Sequence, residues 1–108
     1  MNKSRSENRV KLDLSNEVFQ KQLLAFDKTE RNRIRATCEK LAKLTWDQVY
    51  KDPGLKWEKI TSVRPPAGID AIYSLRITRS RRATAYRVGD FVRFLTIERD
   101  HDATYKKK

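Results

Sequence analysis

The sequence predicts an α+β domain in which an N-terminal helical hairpin packs on one face of a small antiparallel sheet, mixed at one edge, of about four strands. Three observations predict this class. Apolar and polar residues alternate through much of the last third of the chain, which is typical of strands. Apolar residues recur at helical spacing between residues 19 and 45. One more short alternating run, at residues 10–14, precedes those helices.

Composition limits both the size and the partners of the protein. The 108 residues, 38% of them hydrophobic, suffice for one compact domain, and a net charge of +11 indicates a polyanionic partner such as RNA, a ribosome or an acidic protein. No apolar run approaches the roughly 20 residues of a membrane span. Because the N-terminus also lacks the apolar stretch of a signal peptide, we expect a cytoplasmic protein with no membrane partner. A single cysteine, Cys38, excludes an internal disulfide and a zinc site built from paired cysteines. We therefore expect a protein that binds no metal and no cofactor.

The first half of the chain divides into a tail, a strand and helices. We expect residues 1–9 to be flexible and residues 10–14 to form a strand. Ser15 is the expected N-cap of a first helix, and either Asp27 or Thr29 caps a second one. A capping-box spacing begins at residue 45 and predicts a brief third helix that ends near residue 50.

The second half carries the remaining strands. Residues 55–60 are mixed in character and fit either a strand edge or an ordered loop. Strands are expected over residues 71–78, 82–87 and 91–98, and the turn at residues 88–90 joins the last two as a hairpin. The single domain then covers residues 10–105, and residues 106–108 form a basic tail.

Arginines concentrate in the predicted strands and in the turn between them. Arg76 alternates with the apolar residues of its strand, and Arg79, Arg81 and Arg82 fall in or beside the next turn. The planar guanidinium fork suits bidentate binding of phosphate, so this cluster predicts RNA binding. For each arginine taken singly an ordinary solvated surface is the favoured interpretation, and RNA binding is favoured only for the cluster as a whole.

Three other residues carry possible chemistry. His101 is the only histidine and follows a long apolar strand between two aspartates, although a lone histidine is often structural or merely exposed. Glu58 adjoins Trp57, and its alternative is a plain surface carboxylate. A carboxylate, an arginine and a histidine together suffice for metal-free RNA cleavage. Tyr105, beside the basic tail, is the best candidate for stacking on a base.

These strands resemble a known family. The resemblance rests on the runs YSLRIT at residues 73–78, RATAY at residues 82–86 and RDHD at residues 99–102. They are similar to the RelE/YoeB branch of the RelE/ParE toxin superfamily, and the likeness covers about residues 10–105. The resemblance implies a RelE-like fold.

The resemblance also implies a function and roles for particular residues. It implies the toxin of a type II toxin–antitoxin system, which cleaves mRNA on the ribosome and is neutralised by a cognate antitoxin. Glu58 would be the general base, Arg82 would stabilise the phosphate, and His101 would be the general acid. Arg76 would contact phosphate from its strand. The sequence departs from the family where the terminal tyrosine is expected, and Tyr105 is the candidate replacement.

Two alternatives remain open at this stage. The first is a non-catalytic, ParE-like toxin that inhibits gyrase and does not depend on a histidine. The second is a basic module that binds RNA or ribosomes through its arginines and cleaves nothing.

Overall fold

The computed structural model describes residues 8–99 and confirms the α+β class with its helical hairpin. The elements, in chain order, are β1 (Lys11–Asp13), α1 (Glu17–Ala25), α2 (Lys28–Ala42), α3 (Trp46–Lys51), β2 (Glu58–Ile60), β3 (Ile72–Thr78), β4 (Arg81–Val88) and β5 (Phe91–Arg99). The predicted residues His101 and Tyr105, the basic tail at residues 106–108 and most of the expected flexible N-terminus lie outside the described residues. None of the helices within residues 8–99 has the length and apolarity to cross a membrane.

The sheet has five strands rather than about four. Their order is β1-β5-β4-β3-β2, with β1 parallel to β5 and every other neighbouring pair antiparallel. The parallel pair at one edge agrees with the expected mixed edge. The additional strand is β2, for which sequence reasoning left a strand edge and a loop open. Its three residues are too few to display the alternation that reveals a strand.

Side-chain caps begin all three helices. Asn16, rather than the expected Ser15, caps α1, and its Oδ1 accepts a hydrogen bond from the Phe19 amide at 3.0 Å. The Ser15 hydroxyl instead donates to the carboxylate of Asp13 at 2.6 Å. Asp27 caps α2, one of the two alternatives. The predicted capping box is present at the start of α3, where Thr45 exchanges hydrogen bonds with Gln48.

The core lies between the helical hairpin and one face of the sheet. Phe19 of α1 stacks on Phe94 of β5 with ring centroids 5.0 Å apart, and both side chains are almost fully buried. Ile34 and Leu41 of α2 pack in the same buried cluster as Leu75 of β3. Burial of each such side chain contributes about 1.5–3 kcal/mol. The helices therefore occupy one face of the sheet and leave the other, here called the open face, for polar groups.

Candidate active site on the open face

Strand register aligns the polar side chains of the open face in two neighbouring rows. The first row runs across four strands, through Glu58, Ser74, Thr84 and Thr96. The second row runs across three strands, through Arg76, Arg82 and Glu98. Because side chains alternate between the faces of a strand, the intervening residues point to the core, as buried Leu75 and Ala83 do. The polar residues that alternate with apolar ones along β3 and β4 therefore lie together on the open face.

Arg82 lies at the centre of this surface and contacts Glu58. Its Nη2 atom is 3.5 Å from Glu58 Oε1, 2.7 Å from the Ser74 hydroxyl and 3.2 Å from the carbonyl oxygen of Lys56. The Arg82 side chain is 16% exposed, whereas that of Glu58 is 65% exposed. The guanidinium is therefore held in place while the carboxylate remains accessible to a ligand. Two of the three predicted catalytic residues lie side by side.

The loop before β2 is anchored so that it presents a carbonyl oxygen to Arg82. Asp52 ends α3, and its Oδ1 accepts hydrogen bonds from the amides of Gly54 and Leu55 at 2.7 and 3.0 Å. Its Oδ2 is 3.1 Å from Nζ of Lys40 on α2. Lys56 follows with a left-handed backbone, φ +49°, a conformation that costs a residue other than glycine free energy. The carbonyl oxygen of this same residue, Lys56, accepts the hydrogen bond from Arg82.

Aromatic rings pack behind β2, on the side away from Glu58. Trp57 stacks on Tyr73 with centroids 4.8 Å apart and meets the edge of buried Trp46 at 5.4 Å. The guanidinium of Arg87 lies over Trp46, 4.0 Å from the centroid of the Trp46 ring. These rings fill and cover the core. They also fix the short strand from which Glu58 projects.

The other predicted RNA-binding arginines lie at different places. Arg76 is half-buried and adjoins Arg82 in the register of β3 with β4, and Arg79 is exposed in the turn between these strands. Arg81 points towards the helices, where its Nε lies 3.1 Å from Glu30 Oε2 and its guanidinium covers Phe26 at 4.3 Å. Contact of these three residues with RNA stays a prediction. His101 and Tyr105 fall beyond residue 99, and their roles also stay predictions.

Sequence reasoning missed two residues that hold Arg82. Ser74 occupies the polar face of β3 two residues before Arg76, so the alternation that singled out the arginine also marks the serine. Lys56 gave no signal, since a positive φ at a lysine is invisible in sequence and acts here through a backbone carbonyl. Within residues 8–99, no three histidine, cysteine, aspartate or glutamate side chains are grouped as a metal site requires. The described groups of the site are a carboxylate, guanidinium groups and hydroxyls.

The arrangement of three helices on a five-stranded sheet with one parallel edge defines a known fold. The chain is similar to the archaeal RelE–RelB complex from Pyrococcus horikoshii OT3, with a TM-score of 0.52 and 16% identity over 86% of this chain and 94% of that one. It is also similar to the YoeB dimer from Staphylococcus aureus, with a TM-score of 0.50 and 12% identity over 88% of this chain and 99% of that one. No family model and no curated protein sequence matches the chain. The protein has the RelE/YoeB-like toxin fold.

Proposed function

We propose that this protein is the toxin of a type II toxin–antitoxin system, an endoribonuclease that cleaves mRNA on the ribosome by metal-independent acid–base chemistry. The observation that carries the proposal is the 3.5 Å approach of the Glu58 carboxylate to the guanidinium of Arg82 on the open face. A base and a phosphate-binding cation adjacent to one another are what transfer of a phosphoryl group within RNA requires.

The proposed reaction uses the neighbouring 2′-hydroxyl of the RNA as nucleophile. Glu58 accepts the 2′-hydroxyl proton as the 2′-oxygen forms its bond to phosphorus. The bond from phosphorus to the 5′-oxygen breaks, and His101 donates a proton to that leaving oxygen. The products are a 2′,3′-cyclic phosphate and a free 5′-hydroxyl. Arg82 stabilises the charge that accumulates on the equatorial phosphate oxygens.

The surroundings of Arg82 support its proposed role of stabilising the charge on the phosphate in the transition state. Ser74 and the Lys56 carbonyl both accept from Nη2, so the guanidinium needs little reorganisation when charge develops on the phosphate. Its other guanidinium nitrogens would then donate to phosphate oxygens. A lysine at this position would lack the planar fork that makes both sets of contacts together.

The remaining predicted residues would bind the RNA on either side of the cleaved bond. Arg76, next to Arg82 in the sheet, would contact an adjacent phosphate, and Arg79 would reach a further one from its turn. Arg81 would contribute less, because Glu30 and Phe26 already engage its Nε and its planar face. Tyr105 would stack on a base in place of the family's terminal tyrosine.

The proposed partners are a ribosome carrying mRNA and a cognate antitoxin protein, all in the cytoplasm. The archaeal relative was solved as a complex of RelE with RelB, which favours an antitoxin partner for this chain by analogy. The net charge of +11 suits both the ribosome and an acidic antitoxin segment.

A translation reaction followed by primer extension on the mRNA tests the proposal. Wild-type protein should produce new 5′ ends. Arg82→Ala should slow cleavage by about 10²–10³-fold, the scale of losing one preorganised charge-stabilising donor. Glu58→Gln and His101→Ala should each slow it by roughly 10²–10⁴-fold, the contribution typical of a general base or acid.

The matched control is Arg35→Ala, which removes a well-exposed arginine from the outer side of α2 and should leave cleavage within about threefold, as expected of a surface charge. Ribosome binding with intact mRNA would reject the nuclease and favour the binding module. Cell killing by wild-type protein with translation unaffected would instead favour gyrase as the target.

A further inference from the structure

A cavity of about 310 Å³ opens on the same sheet face, beside the Glu58–Arg82 pair. Its apolar lining, here called the floor, includes Ile60, Ile72 and Leu95 from three different strands. Its polar lining, here called the rim, includes Thr84, Thr96 and Glu98. A concave, mostly apolar site with a few convergent polar groups is the usual form of a small-ligand pocket.

The cavity is continuous with the proposed active site through the strand register. Glu98 is the cross-strand partner of Arg82, and Thr84 is the cross-strand partner of Ser74. Ile60 lies two residues beyond Glu58 on the same face of β2. Strand and residue spacings place the cavity about 5–10 Å from the pair. A nucleotide whose phosphate contacts Arg82 therefore has its base within reach of the cavity.

A chain of hydroxyl groups fixes the carboxylate of Glu98 at the cavity rim. The Thr96 hydroxyl donates to Glu98 Oε2 at 2.9 Å. Since a hydroxyl has one proton, Thr84 must be the donor in its 2.6 Å bond to Thr96. The Glu98 side chain is exposed. The carboxylate is thus held from within the sheet by Thr96, and Glu98 lines the cavity.

We propose that this cavity is a guanine-binding subsite of the nuclease, an inference that rests on the proposed function. Guanine is the nucleobase that offers a carboxylate two adjacent donors, N1–H and the N2 amino group, on its Watson–Crick edge. Adenine and cytosine offer one amino group beside a ring acceptor, and uracil offers one N–H between two carbonyl oxygens. With any of these three bases, an acceptor atom of the base would face the Glu98 carboxylate, which is itself an acceptor, and the two would repel.

Two further features fit guanine. The apolar floor packs against the faces of a base, as single-stranded RNA recognition requires. Arg64, from the loop after β2, lines the same cavity and supplies a cation for the O6 and N7 acceptors of guanine. The subsite would bias cleavage towards phosphates next to guanosine.

Binding to RNA that cannot be cleaved tests the subsite separately from catalysis. Fluorescence anisotropy would measure the affinity of purified protein for the 2′-O-methyl trinucleotides UGU, UAU, UCU and UUU, whose blocked 2′-oxygens prevent attack on phosphorus. We expect UGU to bind about tenfold or more tightly than the other three, the scale of one bidentate base contact. Glu98→Gln should abolish that preference, whereas Glu39→Gln, which changes an exposed glutamate on α2, should leave it intact.

The outcomes separate a failure of the subsite from a failure of the proposed nuclease. Equal affinity for all four trinucleotides, or a guanine preference that survives Glu98→Gln, would overturn the subsite even if the protein cleaves mRNA. A guanine preference that depends on Glu98, in a protein that leaves mRNA intact during translation, would support the subsite and reject the proposed nuclease.

Discussion

Arg82 donates from Nη2 to the backbone carbonyl oxygen of Lys56 at 3.2 Å, and Lys56 has a left-handed backbone with φ +49°. The residue that pairs with the catalytic candidate thus carries local backbone strain. Such strain persists where the surroundings over-determine it. Here the Asp52-anchored turn on one side and the pairing of β2 with β3 on the other fix the conformation.

The strain at Lys56 predicts a difference between two substitutions that both remove the lysine side chain. Lys56→Gly should have a free energy of unfolding about 1 kcal/mol higher than Lys56→Ala, because glycine adopts a positive φ without a Cβ penalty. Urea denaturation measures the difference. The same pair of substitutions at Lys59, an extended residue of β2, should show the opposite order. An equal or reversed order at Lys56 would mean that its conformation is unstrained.

Ser74 should act on the proposed reaction as a positioning residue. Its hydroxyl is 2.7 Å from Arg82 Nη2, and its removal frees the guanidinium to sample other rotamers. We expect Ser74→Ala to lower kcat about tenfold, equivalent to roughly 1.4 kcal/mol, with little change in KM. Ser74→Thr, which retains a hydroxyl and suits a strand, should recover most of that loss.

The control for Ser74 is Ser80→Ala, in the exposed turn between β3 and β4, where kcat should be unchanged. A Ser74→Ala protein that cleaves mRNA at the wild-type rate would remove the serine from the mechanism. Equal loss in Ser74→Ala and Ser74→Thr would point to disturbed packing rather than to the hydroxyl.

Two glutamates of α2 should differ in their contribution to stability. Glu30 is 18% exposed, accepts from Thr78 at 3.3 Å and pairs with Arg81 at 3.1 Å, so it ties the helix to the end of the β3–β4 hairpin. Glu39 is 66% exposed and lies 3.9 Å from Arg35 one helical turn away. We expect Glu30→Ala to cost about 1–2 kcal/mol and Glu39→Ala less than about 0.5 kcal/mol in thermal or urea denaturation. Similar costs at both sites would show that the Glu30 contacts contribute no more than a surface ion pair.

Asp52 should make stability depend on pH in acid. Burial raises the pKa of this carboxyl, but hydrogen bonds from Lys40, Leu55 and Gly54 together outweigh it and hold the pKa below its ordinary value. A lowered pKa in the folded state means that the stabilisation is present above about pH 4 and is lost as pH falls through the folded value.

Replacement of Asp52 by asparagine tests that pH dependence. Asp52→Asn keeps an acceptor for the turn amides but cannot ionise, so its stability should vary less than that of the wild type as pH falls below about 4. Denaturation midpoints measured from pH 6 to pH 2 give the comparison. Parallel curves for the two proteins would show that Asp52 does not contribute to the acid sensitivity.

Sequence alone predicted most of the sheet and indicated two residues that the structure brings together. Alternation places Arg76 on the polar face of β3, and the resemblance assigned Glu58 and Arg82 to one site, where they are now seen 3.5 Å apart. The strand predictions rest on local periodicity, which a single sequence displays, whereas the assignment of Glu58 and Arg82 to one site came from the family resemblance and their catalytic roles stay predictions. The Ser15 prediction was wrong by one residue, because the side chain of Asn16 accepts from the Phe19 amide at the helix start while the Ser15 hydroxyl donates to Asp13.

What sequence could not predict depends on contacts between distant segments. The parallel pairing of β1 with β5 joins residues about eighty positions apart, and no local pattern specifies that register. Strand β2 exists because Trp57 stacks on Tyr73 and the turn at Asp52 delivers it to β3. The carbonyl of Lys56 reaches Arg82 only through that same tertiary arrangement.

The position of β5 between β1 and β4 also governs when the sheet can be completed. Ribosomes synthesise β5 after every other described element, yet it is the strand that joins β1 to the rest of the sheet. A nascent chain that lacks residues 91–99 leaves β1 without its sheet partner and one side of β4 unpaired, with Glu98 absent from the cavity rim. The protein therefore gains a complete sheet and candidate site only late in its own translation, so the proposed cleavage of RNA would have to follow synthesis of β5.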